Sequence, residues 1–308
     1  MLRVLIFLAM AAGSILLPYF APSMTGPASA VLVFVMLAAG LNLELGLAGL
    51  PDFALAAYCA IGAYCDALLT REFGWPFWTC LPVAGILAAA IALLLTSPLL
   101  RLKREAFAMI TLGFAAVFQI VLVHGTGVVH SGTLSLSSAS AGSFHYYVVL
   151  AAVMITGAVS WLMRSSPLGL ALRAAREDEL ACLSIGLAIR SCQQIVVAFT
   201  ALAAGLAGCL LAAGQGFVKP GDFDFGMTAS LFAIVVLGGK RTQLGIVCAA
   251  TVVAGIPQIF PAASEFRLAV CGACLMFWPV VRTVLRSRPA RRDKGAWKFG
   301  TIIEMPAE

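Results

Sequence analysis

Five stretches of this chain contain no Asp, Glu, Lys or Arg: residues 4–43, 73–100, 106–163, 191–218 and 242–264. Each is longer than the ~20 apolar residues that carry an α-helix across a bilayer. Of 308 residues, 61% are hydrophobic and 11% are charged. Soluble domains are roughly 25% charged, so an ordinary soluble enzyme is excluded. Lipid offers no hydrogen bonds to a backbone, and unbroken apolar runs lack the two-residue alternation of a barrel strand. The fold class that follows is all-α, a polytopic integral membrane protein.

Splitting the apolar runs at Pro, Gly and charge clusters gives ten candidate spans, near 4–22, 28–46, 53–70, 77–99, 106–124, 146–163, 194–213, 227–239, 244–260 and 267–285. With the N-terminus on the cytoplasmic side, only Arg71, Lys219 and Arg267 of the 20 Lys and Arg residues fall outside. That asymmetry is what the positive-inside rule requires, and it places both termini in the cytoplasm. A count of eight or nine would make one segment re-entrant, with residues 41–53 the first choice. Arg3 followed by an apolar stretch also resembles a cleaved signal peptide, but the apolar character runs on through Pro18-Tyr19-Phe20, which suits an uncleaved first helix. A membrane domain over 1–285 and a basic, disordered cytoplasmic tail over 286–308 follow. The net charge of +6 is an orientation signal, and no nucleic acid is expected as a partner.

No metal or cofactor is expected on this chain. Most of the nine cysteines lie within apolar spans, where a thiol packs as a small hydrophobe, and Cys271-x-x-Cys274 has no second pair. His124, His130 and His145 lie in or beside the outer loop 125–145. No catalytic residue is assigned, because no usual spacing of nucleophile, base or metal ligands occurs. Gly239-Lys240-Arg241-Thr242 lacks the upstream Gly and the Ser/Thr of a phosphate loop. Any ATP this chain depends on must bind, with its magnesium, to another chain.

The longest inside loop, 164–193, carries helix punctuation. Ser166-Pro167 reads as an N-cap with Pro at the first helical position, and Gly186 as a stop. Leu168, Leu172, Ala175 and Leu183 recur at helical spacing opposite Arg173, Arg176, Glu177, Asp178 and Glu179. The pattern predicts a short amphipathic helix along the membrane surface. Its mixed charge suits a groove on a protein partner better than anionic lipid.

This loop, Ser166-Pro167-Leu168-Gly169-Leu170-Ala171-Leu172-Arg173-Ala174-Ala175-Arg176-Glu177-Asp178-Glu179 through Gly186, resembles the cytoplasmic loop of branched-chain amino-acid type ABC transporter permeases, in particular the "M" permease of high-affinity importers. Leu41-Asn42-Leu43-Glu44-Leu45-Gly46-Leu47-Ala48-Gly49-Leu50 with Ile61-Gly62-Ala63-Tyr64 resembles a first block of that family. Phe107 to Phe114, including Thr111 and Gly113, resembles a second, and Gly216-Phe217-Val218 with Val235 to Gly239 a third. The chain departs from the family at Ala54-Leu55, at Ser131 to Leu134 and at Lys240 to Gly245. The resemblance implies alternating access in the inner membrane. It also implies a related second permease subunit, two ABC ATPase subunits and a periplasmic substrate-binding protein. Residues Arg173, Arg176, Glu177, Asp178, Glu179 and Gly186 would then couple this chain to an ATPase. A branched-chain or other small hydrophobic amino acid is the implied cargo, with urea or a short amide as an alternative.

Interrupted spans mark a pathway, because irregular backbone survives at membrane depth only inside protein or beside a cavity. Gly46 and Gly49 with Pro51 form one interruption, and Gly238-Gly239 ends a short span. Asn42, Glu44 and Asp66 are polar residues inside spans and need an explanation. These residues, with Thr111 and Gly113, are the expected translocation set; Gln119 and Gln258 are weaker candidates. An ion-coupled carrier using Asp66 and Glu44 is the competing transport reading. The rows Ala84/Ala88/Ala92 and Ala204/Gly208/Ala212 are read as helix packing alone.

Overall fold

The computed structural model describes residues 24–125, 139–239 and 243–259, together with Pro18, Gly272 and Met276. Among these residues all regular structure is helical. In chain order the α-helices are α1 (Thr25–Leu43), α2 (Leu55–Phe73), α3 (Phe77–Leu99), α4 (Arg104–Gly125), α5 (Ala139–Ser165), α6 (Pro167–Glu177), α7 (Glu179–Ser184), α8 (Ile189–Gln215), α9 (Phe225–Gly238) and α10 (Gln243–Ile259). A π-helical turn, Glu44–Ala48, prolongs α1, and a 3₁₀ turn, Pro220–Phe223, precedes α9.

Among the described residues, five segments are long and apolar enough to cross a membrane: Thr25–Ala48, Phe77–Leu99, Arg104–Gly125, Ser143–Ser165 and Ile189–Gln215. Helices α9 and α10 are apolar but shorter. Eight expected spans thus coincide with helices among the described residues; those at 4–22 and 267–285, apart from Pro18, Gly272 and Met276, and the tail 286–308 lie outside them.

Helices α2 and α8 form the interior. From Leu55 to Ala67 every residue of α2 is buried, so its polar Tyr58, Tyr64 and Asp66 are shielded from lipid. Glycine makes this close approach possible. A Cβ on Gly62 would land on the Gly205 carbonyl, and one on Gly208 on the Cys59 carbonyl. Ala84, Ala88 and Ala92 of α3 are fully buried, and a Cβ on Gly205 would lie 2.7 Å from the Ala84 carbonyl oxygen. Both small-residue rows therefore serve backbone contact, as the spacing predicts. Helix α4 is peripheral: it buries only Phe107, Thr111 and Leu122, and exposes Met109, Val117, Ile120 and Val121.

The single amphipathic helix expected after Ser166 is instead two, because the backbone turns extended at Asp178 (φ −147°, ψ 104°). The Asp178 carboxylate accepts from the Ala181 N–H at 3.0 Å and caps α7. The break also resets the helical phase. Leu172 and Ala175 are buried as expected, but Leu183 is half-exposed and Cys182 takes the inward place. Pro167 opens α6, yet the Ser166 hydroxyl does not cap it; it donates backward to the Met163 carbonyl at 2.8 Å. Gly186 ends the segment at φ 79°, a left-handed conformation that glycine adopts without a Cβ penalty.

Candidate functional site

The interruption after Leu43 is where the sequence and the fold concentrate polar chemistry. Glu44 opens the π-turn, and Gly49 stops it at φ 70° with its N–H bonded to the Glu44 carbonyl. A π-turn adds a residue to the ladder, pairing carbonyls with the i+5 N–H. Two arginines from distant parts of the chain donate to carbonyls at this turn and just before it. The Arg176 guanidinium of α6 donates to the Gly46 carbonyl at 2.9 Å, and Arg164 at the end of α5 donates to the Asn42 carbonyl at 3.2 Å. Arg104 at the start of α4 joins them, since its Nη1 lies 3.2 Å from where a Cβ on Gly49 would stand. Three helix ends thus converge on one broken helix through guanidinium groups, and the charge of Arg164 and Arg176 strengthens the two hydrogen bonds they donate.

Behind this turn lies a buried acidic group of residues. Glu44 and Asp52 are both fully buried, with the Tyr58 phenol and the Thr200 hydroxyl beside them. Asp52 Oδ1 accepts from the Ala54 N–H at 2.7 Å, while Oδ2 and the Tyr58 hydroxyl have no hydrogen-bond partner among the described residues. Loss of water pushes the Asp52 carboxyl up to about 6, and the Ala54 bond offsets only part of that. The next residue anchors the segment to α4: the Phe53 N–H donates to Thr111 Oγ1 at 3.2 Å, and its ring stacks on Phe232 of α9 at 4.2 Å.

The expected pathway residues are not all brought together. Asn42, Glu44, Gly46, Gly49 and Thr111 gather around this interruption. Asp66 is eleven residues along α2 from Leu55, roughly 16 Å by helical rise. It is buried among Cys65, Cys80 and Cys209, with the Cys209 thiol donating to it. Gly113 faces open space on α4. Gly238 serves packing: a Cβ there would lie 2.7 Å from the Gly245 backbone of α10, and Gly239 turns the chain at φ 82°. Of the coupling set, Arg173 is exposed and donates to the Arg164 carbonyl at 2.9 Å, Glu177 and Asp178 are exposed, and Gly186 is at an exposed turn. Glu179 begins α7. Of this set it is Arg176 that reaches the interruption.

Sequence reasoning passed over Asp52, Arg104 and Arg164. Asp52 carried a usable signal, a single acid directly after Pro51 between two apolar spans. The arginines did not, since a basic residue at a span end is ordinary under the positive-inside rule. Among the described residues no group of three or more His, Cys, Asp or Glu side chains is placed to hold a metal.

Comparison with known proteins adds a family assignment to this geometry. A family model described as the branched-chain amino acid transport system permease component matches residues 23–279. The chain is 33% identical over 302 residues to the high-affinity branched-chain amino acid transport system permease protein LivM of Escherichia coli (strain K12), covering 87% of this chain and 71% of that protein. It is likewise 33% identical to LivM of Salmonella typhimurium, covering 89% and 72%. With the probable branched-chain amino acid transport permease protein LivH of Methanocaldococcus jannaschii it shares 24% identity over 225 residues, 68% of this chain and 71% of that one. No solved structure matches.

Proposed function

This chain belongs to the branched-chain amino acid permease family, and from that premise we propose that it carries branched-chain amino acids through the membrane as one subunit of an ABC importer. In this reading the subunit does no bond chemistry, and ATP is hydrolysed on separate chains. It has ten spans and both termini in the cytoplasm, as the distribution of Lys and Arg supports. Its partners are a second, related permease, two ATPases and a periplasmic binding protein.

One observation carries the coupling mechanism: the Arg176 bond to the Gly46 carbonyl joins the surface helix α6 to the interruption of a membrane span. The exposed Glu177 and Asp178 face outward for an ATPase groove, while the preceding residue holds the π-turn. Displacement of α6 by the ATPase pair therefore pulls on Gly46 and, through Arg164, on Asn42. The turn is a weak place in a helix, so it yields before the packed α2–α8 interior does. This is alternating access driven from one end.

The test is uptake of radiolabelled leucine by cells in which the chain is deleted and then restored. Reversing Glu177, Asp178 and Glu179 to Lys is expected to abolish uptake while the chain still inserts and its ATPase no longer co-purifies. Undiminished uptake by that variant, or by the deleted strain, would sink the mechanism.

A further inference from the structure

At the end of the bundle away from Arg104, Arg164 and Arg176, a cavity of about 280 Å³ opens between α1, α5 and α8. Its lining includes Ser29, Val33, His145, Leu210, Leu211 and Gln215. His145 is 5% exposed, and its Nδ1 has no hydrogen-bond partner among the described residues. The ring packs closely on Gly214, which also lines the cavity: a Cβ there would lie 2.7 Å from Nε2. Ser29 donates its hydroxyl proton to the Gly26 carbonyl at 2.7 Å, which leaves the oxygen's lone pairs free to accept. The opposite wall is aliphatic, from Val33, Leu210 and Leu211. Toward the basic end the cavity stops, for α1 is tightly packed from Val35 to Ala38 and a Cβ on Gly40 would lie 2.9 Å from Thr200 Cγ2.

We propose that this cavity is an outward-facing binding site for a small aliphatic amino acid in its zwitterionic form, with His145 and Gln215 donating to the carboxylate and Ser29 accepting from the ammonium group. Among the described residues no Asp, Glu, Lys or Arg lines it. Burying a net charge there would go uncompensated, so the site selects a ligand whose two charges cancel. The volume is at the lower edge of small-molecule pockets, which suits a molecule of this size. The aliphatic wall accepts the side chain. The identity of the ligand rests on the permease reading given above; the existence of the site rests on the cavity and on His145.

The chain has three histidines, so the full-length protein labelled with ¹⁵N-histidine in lipid nanodiscs gives few ring signals, and His145→Gln assigns one of them. L-leucine is expected to move the His145 signal, whereas L-lysine and L-glutamate leave it in place. Gly26 lines the cavity and a Cβ on it would meet nothing within 4 Å, so Gly26→Leu starts its side chain in open space at the cavity wall. That variant is expected to weaken the leucine response at least about tenfold while the unliganded His145 signal stays where it was. A His145 signal unmoved by leucine up to about 10 mM, or moved equally by lysine and glutamate, overturns the site. The permease reading fails differently, by leucine uptake that does not depend on the chain.

Discussion

Adding one methyl group to a glycine has opposite effects at two places in this membrane domain. At Gly62 the new Cβ meets the Gly205 carbonyl, and at Gly208 it meets the Cys59 carbonyl, so helix backbone opposes helix backbone and no flexible side-chain end can yield. The α2–α8 pair must move apart, and with it Tyr58, Ala60 and Ala204, which are fully buried. Overpacking a tight core costs typically about 1–3 kcal/mol, and a backbone contact belongs at the upper end. Gly113 on α4 has nothing within 4 Å, so alanine there gains about 0.5–1 kcal/mol of helix propensity. For domains of this order 1 kcal/mol moves an unfolding midpoint by roughly 2–4 °C. Gly62→Ala or Gly208→Ala should therefore lower the apparent midpoint by roughly 6–12 °C, and Gly113→Ala should leave it unchanged or raise it by up to about 4 °C. The assay is the fraction of purified chain remaining monodisperse in one detergent after heating. Equal shifts at Gly62 and Gly113 would refute the packing of α2 on α8.

Three further outcomes follow from the interruption and the loop. Thr111→Val removes the acceptor of the Phe53 N–H and should cost about 1–3 kcal/mol in the same melting assay, while Thr111→Ser should stay near wild type. Asp52 has a folded-state pKa of about 6, above its ordinary 3.8, so the folded chain holds the proton more tightly and stability falls as pH rises from the lower value to the higher. Asp52→Asn should accordingly raise the midpoint at pH 7.5 and leave it nearly unchanged at about pH 4. Gly186→Pro demands φ near −65° where the chain has 79°, and leucine uptake should be lost with the chain still present in the membrane fraction.

The helices were legible because each apolar run is bounded by something that stops a helix or a span: Arg101 to Arg104 between α3 and α4, Gly216 after α8, Gly74 after α2. The Gly208 row was legible as packing, since only small residues let backbones touch, but its partner was not: that Gly208 meets Cys59 and Gly62 meets Gly205, which puts α2 at the centre, is set by the fold. The kink at Asp178 was not. Its cause is a local competition in which an Asp side chain caps the next helix instead of continuing the first, and periodicity does not register that choice. Asp66 and Glu44 read alike as acids within spans, yet Asp66, well along α2, faces thiols, and Glu44, in the π-turn after α1, faces Asp52. His145 read as a residue in or beside the outer loop, yet it is buried on α5, because it packs on Gly214, 69 positions away on another helix.

Helix α1 is the element through which these features meet. Its first turns line the cavity beside His145, its later turns are sealed by Gly40 against Thr200, and its end is the π-turn held by Arg164 and Arg176. A rigid α1 would pass any displacement of α6 straight to the cavity, some 20 residues and roughly 30 Å away. The π-turn makes that link compliant at one end, and the Gly40 contact, just before that turn, makes it stiff. Motion at Arg176 then has two outlets, the turn or the Gly40–Thr200 seal, and the turn is the softer. Gly40→Ala would press on the Thr200 methyl at 2.9 Å and shift that balance toward the seal. It should therefore change the rate of leucine uptake more than the amount of chain in the membrane, whereas a purely structural contact would change both together.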